Sequence, residues 1–371
     1  MIYLDYSATT PVNKEVIESY SKACERFIGN PNSLHRLGTE AKEVIDASTK
    51  QIADILKIKP TEIIYTSGAS ESNNTAIKGI ALKYANRGKH IISTELEHSS
   101  IVGPLNYLMN LGYEIDFVSL KENGEIDLEE LENLIRDDTI LVSISSVNSE
   151  IGIKQPIAKI SEIVRRHPKC FFHSDMTQSV GKENIDLSLV DLASFSAQKF
   201  FGMKGVGILY KRENLNIEPL IHGGKSTTIY RSGTPALPLI VSISKALRLV
   251  YENFQDKYKH VEEMNKYLRE QMKKVDIFIN SPDHAIPHIL NFSLKGIKAE
   301  TMLHALEEDD IFISTQTACS VGDYSRAVYA ITKDKDRASS SMRVSLSYLT
   351  TKEEIDKFIS SLDKHIKELT K

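Results

Sequence analysis

From about residue 60 to residue 210, short apolar runs alternate with stretches of helical periodicity. The runs are Glu62-Ile63-Ile64-Tyr65, His90-Ile91-Ile92-Ser93, Glu114-Ile115-Asp116-Phe117-Val118, Thr139-Ile140-Leu141-Val142-Ser143-Ile144 and Cys170-Phe171-Phe172; helical patterns such as 128–135 and 157–166 fall between them. Strand, helix and strand in repetition predict βαβ units around a mostly parallel sheet. The segment 236–274 is long, charged and helix-periodic, with no proline after Pro238, and is expected to form helices leaving this first layer. Beyond it, 286–294, 300–307, 311–313, 342–346 and the amphipathic 352–366 suggest a smaller α+β domain. The expected division is 13–251 for the large domain, and 1–12 with 252–371 for the small one.

Open α/β sheets bind ligands at the carboxyl ends of their strands, so the residues that follow each run carry the chemical information. Two such ends fit one cofactor. Asp175 follows Cys170-Phe171-Phe172-His173-Ser174, and Lys199 follows Ser194-Phe195-Ser196-Ala197-Gln198. A pyridoxal phosphate enzyme needs that pair, a lysine for the Schiff base and an acid for the pyridinium nitrogen. Taken singly, a strand-end lysine is more often a surface group, and an aspartate there is more often a helix cap or half of a salt bridge. Gln178 is a candidate donor to the ring oxygen or an exposed amide. The run Thr66-Ser67-Gly68-Ala69-Ser70-Glu71 opens a helix with small residues, a setting for an anion at a helix N-terminus or for ordinary capping. His98 is placed to stack on a ring or to cap a helix. Arg343, among apolar strand residues, suits a substrate carboxylate or an internal salt bridge. Cys319 lies in Ser314-Thr315-Gln316-Thr317-Ala318-Cys319-Ser320, a loop composition in which a thiolate would be reachable. Cys24 and Cys170 are expected to be inert packing residues.

Composition excludes several classes. With a net charge of −4 there is no electrostatic case for direct nucleic acid binding. No apolar stretch approaches the ~20 residues that span a bilayer, and the N-terminus lacks a secretory pattern, so no membrane association and cytoplasmic residence are expected. Three scattered cysteines do not make a disulfide framework, and no Cys-x-x-Cys is present, so no structural metal site is expected.

Together these segments resemble the cysteine desulfurases, in the class V aminotransferase branch of the pyridoxal phosphate enzymes. The match runs from Tyr3-Leu4-Asp5-Tyr6-Ser7-Ala8-Thr9-Thr10-Pro11 to Thr350-Thr351-Lys352-Glu353-Glu354-Ile355-Asp356. It includes Gly29-Asn30-Pro31-Asn32-Ser33, Asn148-Ser149-Glu150-Ile151-Gly152 and Arg231-Ser232-Gly233-Thr234-Pro235. The resemblance implies an α/β fold of type I, with a mostly parallel seven-stranded sheet in the large domain. It also implies roles. Lys199 would carry pyridoxal 5'-phosphate, Asp175 would hold the ring nitrogen, His98 would stack on the ring and act in catalysis, and Gln178 would meet the ring oxygen. Ala69, Ser70, Ser196 and Gln198 would line the phosphate cup, and Thr234 would reach the phosphate of a partner subunit in a homodimer. Arg343, Asn148, Ser149 and Asn30 would bind L-cysteine. Asn148 would also border the cofactor. Cys319 would take the sulfur as a persulfide on a loop expected to move. An acceptor protein, an iron–sulfur scaffold or a tRNA-thiolation enzyme, would receive it.

The chain departs from the family pattern at four places. Gln198 replaces the usual histidine, Ser149 a second asparagine, Met176 a small residue and Gln316 a glycine. The 148–152 variant and a compact stretch after Cys319 look closest to members dedicated to tRNA thiolation. A class V aminotransferase or lyase that does not use Cys319 is the alternative, and a non-catalytic scaffold would be expected to lack Lys199 or Asp175.

Overall fold

The computed structural model describes residues 1–315 and 324–370; Gln316 and Cys319 lie outside the described residues. The chain opens with a short strand, β1 (Ile2–Tyr3), and then builds a sheet from β2 (Ile63–Thr66), β3 (His90–Ser93), β4 (Glu114–Phe117), β5 (Thr139–Ser143), β6 (Phe171–Asp175), β7 (Leu192–Ser196) and β8 (Gly207–Lys211). This 7-stranded sheet has the order β2-β8-β7-β6-β5-β3-β4. Every neighbouring pair from β7 through to β4 is parallel, while β8 runs antiparallel between β2 and β7. The reason for the exception lies in the connection. Residues 197–206 are too few for the helical crossover that a parallel return requires. Gly205 turns that link at φ 84°.

Strands β5, β7 and β8 are buried along their whole length, whereas the edge strand β4 is exposed or half-buried and carries Glu114 and Asp116. Charge on an exposed edge discourages pairing with a second chain. Side chains alternate across the sheet. Val142, Ile144, Phe172, Met176 and Phe195 pack on one face, and Ile64, Leu141 and Leu209 on the other with Ile77 and Leu105. Met176, one of the family departures, is thus a core residue directly beyond Asp175.

The helices Leu237–Tyr251 and Phe254–Met272 follow, broken at Asn253 with φ 52°. They lead to a 3-stranded antiparallel sheet, β12-β10-β9, of β9 (Ile277–Ile279), β10 (Ile289–Leu294) and β12 (Ser341–Ser345). Strand β11 (Ile311–Phe312) pairs in parallel with β1. A second apolar core forms here, from Leu4, Leu268, Phe292, Met302, Val344 and Phe358. The first residues of the chain therefore pack with its last third. Among the described residues no helix is long and apolar enough to cross a membrane.

One cysteine expectation is corrected. Cys24 is exposed on the helix Lys14–Arg26, whose buried stripe is Val16 and Ala23, so helical phase turns it outward. Cys170 is buried just before β6, and burial pushes its thiol pKa well up.

Candidate active site

A cleft of about 370 Å3 opens at the carboxyl ends of the parallel strands. Ser67 to Glu71 follow β2, His98 and Ser100 follow β3, and Ser145 to Ser149 follow β5. Asp175, Thr177 and Gln178 come from the end of β6, and Ser196, Gln198 and Lys199 from the end of β7. The strand order reverses between β3 and β5, the crevice where open sheets bind ligands. Ser7, Ala8 and Arg343 reach the same cleft from the other end of the sequence.

Lys199 ends a single tight turn, Ala197–Lys199, directly after β7. Its Nζ donates to the carbonyls of Ser7 at 2.8 Å and Ala8 at 2.7 Å. Thr10 staples this turn: its backbone N–H and its hydroxyl both donate to the carbonyl of Gln198, and Oγ1 accepts from Phe201 N at 2.7 Å. Phe201 sits at φ 63°, a left-handed conformation that a bulky residue holds only when its surroundings impose it. Contacts of its ring with Tyr6 and Tyr348 complete that restraint.

Asp175 accepts from Thr177 N at 2.9 Å and from Asn73 Nδ2 at 2.7 Å. The same Asn73 nitrogen donates to Ser100 Oγ at 2.9 Å. His98 caps the helix Ser99–Met109, with Nδ1 accepting from Ser100 N. Burial lowers its pKa, with Lys199 adding in the same direction while Asp175 and Glu150 oppose it. The neighbouring Glu97 is pushed up to about 7 by burial, although it accepts from Ser145 and Thr94.

Arg343 is 2% exposed and pairs with Asp5 at 2.7 Å, while Nη1 donates to the carbonyl of Ser149 at 2.9 Å. The internal salt bridge foreseen as a competitor therefore exists, in a guanidinium that also lines the cleft. Ser149 contributes through its backbone, so the change from asparagine leaves that contact untouched. Asn148 donates to the Leu96 carbonyl and accepts from Glu150 N and Ile151 N, which fills its oxygen and leaves one amide hydrogen for a ligand. Gln178 Oε1 accepts from the buried Lys182, and Nε2 donates to the Ser7 carbonyl. Asn30 and Thr234 are exposed and do not line the cleft. Asn73, Ser100, Thr10 and Lys182 were not singled out by sequence reasoning. Asn73 and Ser100 are polar residues in the first turns of their helices, a pattern shared with any solvated face.

The chain as a whole has many relatives. The family model "Aminotransferase class-V" matches residues 2–358. The chain belongs to the class-V aminotransferase family. It is 42% identical to a NifS/IcsS protein homolog of Lactobacillus delbrueckii subsp. bulgaricus, over 98% of this chain and 96% of the relative. It is 38% identical to a cysteine desulfurase IscS of Dictyoglomus turgidum, over 99% and 95%. A solved NifS-like protein superposes with a TM-score of 0.94 at 34% identity, covering 99% of each chain.

For a class-V aminotransferase, the donor set suits a pyridine ring bearing a phosphate. Gly68 precedes the helix Ala69–Lys83 with no side chain capping it, so the first N–H groups stay available to an anion. Ser70, Ser196 and Gln198 stand around that helix end. The cradle is also tight. A Cβ on Gly207 would fall 2.6 Å from Gly68 Cα, so β8 approaches the Gly68 backbone only because residue 207 is glycine.

Proposed function

We propose that this chain is a pyridoxal phosphate-dependent cysteine desulfurase. It removes sulfur from L-cysteine, leaves L-alanine, and loads the sulfur on Cys319 for an acceptor protein of iron–sulfur assembly or tRNA thiolation. The observation that carries this is one cleft that holds Lys199, Asp175, His98, Arg343 and an uncapped helix N-terminus. Identity of 38% and 42% over nearly the whole chain to proteins named cysteine desulfurase supports it.

Lys199 is the attachment point for the cofactor. Ala69, Ser70, Ser196 and Gln198 hold its phosphate, and Gln178 donates its remaining amide hydrogen to the ring oxygen. When bound, the cofactor supplies an electron sink for charge that develops on the substrate. Asp175 keeps the ring nitrogen protonated, with Asn73 and Thr177 N–H steadying the carboxylate. His98 lies against the ring. Arg343, Ser149 and the remaining amide hydrogen of Asn148 bind the substrate carboxylate. The Cys319 thiolate attacks the substrate sulfur. The carbon–sulfur bond breaks with its electron pair kept by the carbon skeleton, which takes up a proton and leaves as alanine, and the sulfur stays as a persulfide. Thr234 serves the partner subunit of a homodimer. The division at 13–251 against 1–12 with 252–371 is part of this reading, supported by the two separate apolar cores. Cytoplasmic residence completes it.

Mass spectrometry of the purified protein after incubation with L-cysteine tests the proposal. One added sulfur on the Cys319 peptide is expected, lost in Cys319→Ala. Full sulfide release by Cys319→Ala would instead favour an aminotransferase or lyase that does not need this cysteine.

A further inference from the structure

The geometry points to Asn73 and Ser100 as positioning residues that hold His98 as a neutral imidazole with its proton on Nε2, and that tie this tautomer to the carboxylate of Asp175. The inference deepens the proposed function, since it concerns the same site.

Donor and acceptor capacities fix every proton in the network. Asn73 is wholly buried in the helix that follows β2. An ionised carboxylate only accepts, so the contact at 2.7 Å turns the Nδ2 face of Asn73 toward Asp175. Its second amide hydrogen goes to Ser100 Oγ at 2.9 Å. The Ser100 hydroxyl therefore accepts from Asn73 and has its own hydrogen to give, and His98 Nδ1 lies 2.8 Å away. The backbone N–H of Ser100 points at the same nitrogen from 3.1 Å and has no other role than donor. Nδ1 thus receives two donors and carries no proton, so the neutral ring bears its hydrogen on Nε2. A proton on Nδ1 would bring three N–H donors and one hydroxyl together with a single hydrogen too many.

The arrangement also explains a defect. Asn73 Oδ1 is buried with no partner, which is costly. Turning the amide over would set a carbonyl oxygen against the Asp175 carboxylate, two acceptors with no hydrogen between them. The orphan oxygen is the consequence of serving Asp175 and Ser100 at once. The direction of the His98 pKa shift agrees, since burial favours the neutral ring. The charged groups that act on His98 are Asp175, Lys199 and Glu150, and none of them is changed in the test below.

Nitrogen NMR of histidine-labelled full-length protein reads the tautomer directly, with His98 assigned through His98→Gln, and with and without added pyridoxal phosphate. In the cofactor-free protein an unprotonated Nδ1 and a protonated Nε2 are expected. Ser100→Ala should raise the proton affinity of His98 about 3- to 10-fold, the worth of one lost hydrogen bond to the neutral form. Ser100→Thr keeps the hydroxyl and should restore the wild-type titration. Asn73→Ala should move His98 in the same direction, and should add nothing once Ser100 is alanine. A proton on Nδ1 in the wild type, an unchanged titration in Ser100→Ala, or additive effects of the two substitutions would overturn the inference. If Asn73→Ala fails to fold, the Ser100→Ala and Ser100→Thr pair decides alone. A correct tautomer in a protein that never binds pyridoxal phosphate would remove the functional proposal and leave this one standing.

Discussion

Lys199 and Asp175 were legible in the sequence because each follows an apolar run and strand ends are where an open sheet meets its ligands. Their neighbours were not. Thr10 acts on Lys199 across 188 positions of chain through the Gln198 carbonyl, and no local pattern announces such a contact. Arg343 was legible only as a pair of alternatives, and it pairs with Asp5 while facing the cleft. Two predictions belong at this scale. Lys199→Ala should abolish turnover and retain no covalently attached cofactor after borohydride treatment and dialysis, with an unchanged far-ultraviolet circular dichroism spectrum. Loss of two hydrogen bonds to flanking carbonyls lowers stability by about 1–3 kcal/mol at most, because the lysine is only half-buried. Under the proposed function, Asp175→Asn removes the charge that would face the ring nitrogen. The turnover number should fall by orders of magnitude, since each ~1.4 kcal/mol of lost stabilisation is tenfold. Rapid-quench measurement of alanine formation checks this; a near-normal rate would mean that another group protonates the ring.

Elements with strong periodicity were read correctly from the chain: the parallel strands, the helices that straddle Asn253, and the amphipathic C-terminal helix Lys352–Leu369 with its Thr351–Glu354 capping box. The direction of β8 was not, because a run of Gly-Ile-Leu-Tyr-Lys reads the same in either sense and only the length of the link to β7 decides it. Cys24 was misplaced for a related reason. Its helix is certain from the pattern, but one residue of phase separates the buried Ala23 from an exposed neighbour. The turn that presents Lys199 yields a prediction of its own. Thr10→Val keeps the shape of Thr10 and deletes the hydroxyl that bridges Gln198 O and Phe201 N. Left unmatched, Phe201 N–H and its left-handed backbone should cost about 1–3 kcal/mol, lowering the melting temperature by several degrees. Cofactor retention on dilution should weaken in parallel. An unaltered melting curve would show that the Phe201 ring contacts suffice to hold the turn.

For the molecule as a whole, buried ionisable groups set the response to acid. Burial depresses His173 to about 4 and His288 to about 3, against 6.5 for the unconstrained side chain. Between those values and about 6.5 the unfolded chain binds more protons than the folded one. The stability these two residues confer is therefore complete above about pH 6.5 and drains away as pH falls through 4 and then 3, on the order of a few kcal/mol each. Glu97, raised to about 7, acts oppositely: it favours the folded state below 4.5 and gives that up as pH rises through 7. Melting temperatures should accordingly fall steeply between pH 5 and pH 3.5, and His288→Asn should flatten the lower part of that curve. A flat wild-type curve there would mean that the two imidazoles are reached by water. The order of assembly is a different matter. Lys199 rests on the carbonyls of Ser7 and Ala8, while Asp5 next to them is bridged to Ser345 and Arg343. On the ribosome, the opening residues emerge first, and Asp5 waits for its partners until β12 has been made. A chain interrupted between β8 and β12 has its lysine and its aspartate but lacks the Arg343 and Ser345 partners of Asp5. A closed site therefore requires the chain to have been made at least as far as β12.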